Sequence, residues 1–109
     1  MAAAEAQREV LRSWASTTPC VRKLWIYGSR AKGTFKADSD LDVAVQIDPI
    51  DPDETAYASW FHEKGGWQAE LQKRLDVTLD LEWFDPNGST PTIAKGLSEG
   101  NVVIYERAS

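Results

Sequence analysis

Three aspartates and a glycine-led bend are the residues of this chain whose types and spacing can do chemistry. Gly28-Ser29 closes an apolar run, ten residues follow, and Asp40-Leu41-Asp42 then opens a second apolar run. Asp80 lies further on, between Leu79 and Leu81. Crowded carboxylates repel one another unless a cation or protons intervene. The cation that suits them is Mg²⁺, which favours oxygen ligands and usually shares its shell with substrate phosphates. Brought together, Asp40, Asp42 and Asp80 form an oxygen-rich site for one or two such ions. Two ions there can clamp a nucleoside triphosphate and help activate an acceptor hydroxyl.

The bend has the complementary chemistry. Gly28 lets backbone come close to phosphate. Amides at the start of a short helix after Ser29 can bind phosphate oxygens, aided by the helix dipole. The Ser29 hydroxyl adds a donor, and Arg30 and Lys32 can neutralise triphosphate charge. Each residue also has a plain structural reading. Ser29 can be an N-cap, which is compatible with phosphate binding. Arg30 can pair with a surface acid, a contact worth little. Asp76, at the head of the third strand, is an alternative to Asp80. His62 falls on a long helix away from the motif and reads as a surface or interface residue.

These groups need strands and helices to hold them. Residues 3–16 read as a helix, with Val10, Leu11 and Trp14 on one face, stopped at Thr17-Thr18-Pro19. Residues 21–27 are a strand, Ser29 to Lys32 a short helix ended by Gly33, and 34–39 a polar loop. Leu41 to Ile47 is a second strand, with Asp40 and Asp42 projecting from one face. A long helix starts near Asp53, with Tyr57, Trp60, Phe61, Trp67, Leu71 and Leu75 as its apolar stripe. Gly65-Gly66 interrupts that stripe and predicts either a kink or break, or close approach by a partner's backbone. Asp76 to Phe84 is a third strand with Thr78, Asp80 and Glu82 on its polar face. Thr90-Pro91 opens a last helix, and Val102 to Tyr105 is a last strand.

The order is αβαβαβαβ. The link between strands one and two is too short for a full crossover helix, so the expected fold is α/β (α+β) with a mixed sheet flanked by helices. Antiparallel pairing of those two strands brings the bend and the acids to one end.

At 109 residues the chain is expected to be a single domain, 1–109. A formal net charge of −5 argues against an extended nucleic-acid surface. The bases Arg22, Lys23, Arg30, Lys32 and Lys36 nevertheless cluster around the motif. A single cysteine, Cys20, permits no internal disulfide, and no export signal or bilayer-length apolar run is visible, so a cytoplasmic setting is expected. Nearly every residue is consumed by the core, so the acceptor side of a transfer site is expected from another chain or from self-association.

Tyr27-Gly28-Ser29-Arg30-Ala31-Lys32-Gly33, Ser39-Asp40-Leu41-Asp42, Leu79-Asp80-Leu81 and the tail from Glu99 to Glu106 together resemble the minimal nucleotidyltransferase (MNT) group of the DNA polymerase β-like superfamily. The likeness covers about residues 20–105. It implies the polymerase β-like fold, Mg²⁺ at Asp40, Asp42 and Asp80 as catalytic ligands, and nucleotide binding at Gly28, Ser29 and Arg30, with Lys32 a weaker candidate because the group more often has Arg there. It also implies ATP as donor. Many MNT proteins are antitoxins paired with a helical HEPN-type protein toxin, and in similar systems AMP passes from ATP to a toxin tyrosine. The resemblance therefore implies an ATP-dependent protein adenylyltransferase in a hetero-oligomer. The alternatives are a neutralising subunit that acts by contact alone and a nucleotide sensor.

Overall fold

The computed structural model describes residues 2–108. Eight elements follow in the expected alternation: α1 Ala2–Ser16, β1 Val21–Tyr27, α2 Ser29–Lys32, β2 Leu41–Ile47, α3 Ala56–Arg74, β3 Leu79–Trp83, α4 Pro91–Glu99 and β4 Asn101–Glu106. The strands form one sheet in the order β3-β2-β1-β4. β1 is antiparallel to both β2 and β4, whereas β2 and β3 are parallel. The parallel pair is the one joined through a full helix, α3, as a crossover requires. The sheet is mixed, as expected.

The continuous apolar run of β1 follows from its position, central and covered on both faces. Leu24 and Ile26 join Val43, Val45, Leu79, Leu81 and Ile104 against α1 and α3. Trp25 and Tyr27 point the other way, with Ala44, Phe84, Ile93 and Leu97. Trp14 of α1 meets Trp67 of α3 edge to face, ring centroids 5.6 Å apart, and links the two helices over the sheet. At the end of α1, the hydroxyls of Thr17 and Thr18 donate to carbonyls of the last turn, which would otherwise lack partners.

Three local readings are corrected. α3 runs through Gly65-Gly66 without a break, because Trp60, Trp67 and Leu71 on either side of the pair are buried and hold the helix by packing. Tyr57 and Phe61 leave the expected apolar stripe and stand in solvent, 56% and 57% exposed. The third strand is shorter than expected. It starts at Leu79, and Asp76 precedes it, where its carboxylate accepts a hydrogen bond from Gln7 of α1.

β3 is an edge strand, and α3 seals part of that edge. Gln68 Nε2 donates to Leu79 O at 2.7 Å while Leu81 N donates to Gln68 Oε1 at 3.2 Å. One turn further on, Gln72 does the same with Val77 O and Leu79 N. Two side-chain amides thus occupy backbone positions that a fifth strand would use, which blunts the edge against unwanted pairing.

Candidate active site

Tyr27 is the last residue of β1, and Gly28 turns the chain at φ 72° into the single turn α2. Gly28 caps that turn and Ser29 is its first residue, a correction to the reading of Ser29 as the N-cap. The Gly28 carbonyl accepts from Ala31 N and Lys32 N, so the amides of Ser29 and Arg30 have no partner within the turn. One turn adds little macrodipole. These two outward amides are the bend's contribution. Gly33, in the left-handed conformation at φ 77°, ends α2.

Antiparallel pairing sets Asp42 opposite Tyr27, at the level of the bend. A Cβ placed on Gly28 would collide with the Asp42 carboxylate, so residue 28 must be glycine for space as well as for its positive φ. Parallel pairing sets Asp80 level with Asp42 on the neighbouring strand. Both are half-buried on the sheet face that carries α4. Asp40 lies just before β2 rather than on it, and is exposed. The expectation that Asp40 and Asp42 share a strand face is corrected to that extent. Its charge still reaches the group. The Asp42 carboxyl is pushed above the usual range by burial, then by the charges of Asp80 and Asp40, with Arg30 partly offsetting them.

Sequence reasoning missed one member of this cluster as a site residue. Glu82 lies two residues beyond Asp80 on the same face, and its carboxyl is pushed up by burial and then by the neighbouring Asp80 carboxyl. The i, i+2 spacing on a strand was the signal that could have found it. The Tyr27 phenol is also pushed up, first by burial and then by Asp42, Asp80 and Glu82. α4 passes close over this tyrosine, where a Cβ on Gly96 would stand 3.0 Å from its ring.

The basic residues are placed as follows. Arg30 donates from Nε and an outer guanidinium nitrogen to Ser39 O, and its guanidinium lies 4.6 Å from the centre of the Phe35 ring. It closes the loop that leads to Asp40 and keeps further N–H groups available. Lys32 is directed to α4, with Nζ 3.6 Å from Glu99 Oε1. His62 stands on the exposed side of α3 beside Phe61.

The donor set at the acids suits a hard divalent cation by its chemistry: oxygen atoms only, carried by several negative charges. Among the described residues, neither Asp40, Asp42 nor Asp80 is in an ion pair. Equally, no three Asp, Glu, His or Cys side chains among those residues have closed to metal-ligand geometry in this conformation.

A mixed sheet that brings a glycine bend and facing acids to one end defines a nucleotidyltransferase fold. The chain belongs to the polymerase beta, nucleotidyltransferase family, whose family model matches residues 9–109. No curated protein matches. Among solved structures, a toxin–antitoxin with AMP-PNP aligns at 19% identity and a TM-score of 0.64, over 93% of this chain and 73% of that one. The toxin–antitoxin MntA–HepT aligns at 15% identity and a TM-score of 0.58, over 94% and 72%. A chain from Sulfolobus solfataricus described as a nucleotidyltransferase aligns at 18% identity and a TM-score of 0.51, over 98% and 89%. At these identities the likeness is one of fold.

Among the described residues no helix is long and apolar enough to cross a membrane.

Proposed function

We propose that this protein is a Mg²⁺-dependent nucleotidyltransferase that acts as the antitoxin of a toxin–antitoxin pair, passing AMP from ATP to a hydroxyl, a tyrosine in our reading, of a HEPN-type partner. The observation that carries the reading is the level placement of Asp42 and Asp80 on adjacent strands, with the Asp42 carboxylate against the Gly28 bend. The fold likeness to a toxin–antitoxin with AMP-PNP supports it.

Asp40, Asp42 and Asp80 would hold the metal. When bound, the metal would neutralise triphosphate charge and lower the pKa of the acceptor hydroxyl. The amides of Ser29 and Arg30 and the Ser29 hydroxyl bind phosphate oxygens, and Arg30 orients them with the N–H groups not used on Ser39. Lys32 adds long-range positive charge. In the transfer, the acceptor oxygen bonds to the α-phosphorus of ATP, the bond from that phosphorus to the bridging oxygen breaks, and pyrophosphate leaves. The acceptor proton passes to the carboxylate cluster. The protein's work is positioning and charge neutralisation, which dominate phosphoryl-type transfer.

The test is intact-mass measurement of the co-expressed partner after incubation with the purified protein, ATP and Mg²⁺. A gain of one or more AMP masses, absent with Asp40→Ala, is expected. Neutralisation of the partner without any mass gain would make the protein a contact-only antitoxin. Mass gain that survives Asp40→Ala would reject the assigned roles.

A further inference from the structure

A groove of about 740 Å³ runs between the start of α3, the end of β3 and the start of α4. Its volume is in the range of ligand pockets. Tyr57, Trp60, Trp83 and Ile93 give it an apolar wall, and Glu82 and Asp85 give it negative charge. No lysine or arginine lines it among the described residues.

Three observations say what fits there. The first is continuity: Glu82 lines the groove and stands two residues from Asp80 on the same face of β3, so the groove borders the acid cluster. The second is charge. An acidic wall disfavours a triphosphate, whose place is the amide-lined bend at Gly28, and favours a cationic chain. Asp51, Asp53 and Glu54, just before α3, extend the negative field. The third is the edge of β3. Gln68 and Gln72 seal its outward backbone groups only as far as Leu81 N. Among the described residues no side chain continues that series to Trp83, whose indole N–H is also buried without a partner. An extended chain can add to a strand edge there, with its side chains against Tyr57 and Trp83, whose rings are 5.6 Å apart.

We propose that this groove docks an extended, basic segment of the acceptor protein and so delivers its hydroxyl to the carboxylates from the side opposite the nucleotide. The inference rests on the nucleotidyltransferase reading above and names where its second substrate lies.

The test uses the full chain and two fluorescein-labelled peptides, Lys-Arg-Ala-Tyr-Ala-Arg-Lys and Glu-Asp-Ala-Tyr-Ala-Asp-Glu, followed by anisotropy without nucleotide. The basic peptide is expected to bind about tenfold or more tightly than the acidic one, and less tightly as salt rises. Tyr57→Lys is expected to weaken it about tenfold, and Tyr57→Phe to leave it unchanged. Tyr57 is exposed, so both variants should fold, which circular dichroism verifies. Equal binding of the two peptides, no binding of either, or indifference to Tyr57→Lys overturns the proposal. So does competitive displacement of the peptide by AMP-PNP, which would place the nucleotide in the groove. A dimer that Tyr57→Lys dissolves, seen by light scattering, would make the occupant a second copy and overturn it too. AMP-PNP affinity with Mg²⁺, measured separately by calorimetry, keeps the two readings apart. Nucleotide binding without peptide binding sinks the docking site alone, whereas no nucleotide binding sinks the enzyme reading beneath it.

Discussion

The carboxylate of Asp42 fills the space that a side chain at Gly28 would need. One glycine therefore does two things, taking a backbone conformation that other residues avoid and making room for an acid at the bend. That contact ties the glycine bend, where we propose that phosphate binds, to the acid cluster.

Gly28→Ala meets both obstacles, whereas Gly33→Ala meets only one, since nothing lies within 4 Å of a Cβ there. Both substitutions strain a positive φ at about 1–3 kcal/mol. Gly28→Ala should also displace Asp42 and abolish transfer. Gly33→Ala should lower the urea midpoint while retaining most activity. Equal activities of the two variants would show that the contact with Asp42 has no catalytic importance.

The acid cluster makes stability depend on pH. Burial, then Asp80 and Asp40, raise the Asp42 pKa in the folded state, with Arg30 in partial opposition. The folded protein therefore binds that proton more tightly than the unfolded chain. Stability falls as pH rises from the ordinary aspartate value, about 3.9, through the raised one. Asp42→Asn removes the repulsion. It should melt above the wild type at pH 7, the gap should close below about pH 4, and transfer should be lost. A variant that melts lower at pH 7 would mean that Asp42 contributes more by contact than it costs by charge.

Much of this architecture was legible in the chain, for physical reasons. The continuous apolar run Leu24 to Tyr27 announced a strand, and the link to Asp40, too short for a full crossover helix, announced a mixed rather than a fully parallel sheet. Gly28 and the pair Asp40/Asp42 were conspicuous because neither pattern suits a plain core. What was hidden depends on tertiary contact. Gln68 and Gln72 look like ordinary solvent-facing helix residues until α3 lies along the β3 edge. Gly65-Gly66 looks like a break until Trp60, Trp67 and Leu71 pin both halves of the helix. Tyr57 and Phe61 fit a helical stripe, and only the packed structure shows that the stripe's outer members reach solvent.

The Gln68 amide brackets Asp80 by holding Leu79 O and Leu81 N. Gln68→Leu removes both bonds and should cost about 1–2 kcal/mol, given roughly 1 kcal/mol per hydrogen bond. Amide exchange should quicken at Leu81, and kcat should fall more than KM for ATP rises. Loss of stability with unchanged kcat would confine Gln68 to a structural role.

Gly65 and Gly66 lie on the exposed side of α3 with open space at each Cβ. Gly65→Ala and Gly66→Ala should each stabilise the isolated protein by about 1 kcal/mol, from helix propensity alone. If the pair exists for close approach by a partner's backbone, the double variant should melt higher alone and yet bind the partner less tightly. Unchanged partner affinity would assign the glycines no role at that interface.

The most direct test of the central claim, that Asp40, Asp42 and Asp80 hold a divalent ion and a triphosphate together at the Gly28 bend, is a Mn²⁺ titration with AMP-PNP, read by electron paramagnetic resonance. A protein-bound Mn²⁺ signal is expected that needs the nucleotide, disappears in Asp42→Asn, and persists in Tyr57→Phe. A wild-type protein that binds no Mn²⁺ even with AMP-PNP, or an Asp42→Asn variant that binds it equally well, would contradict it.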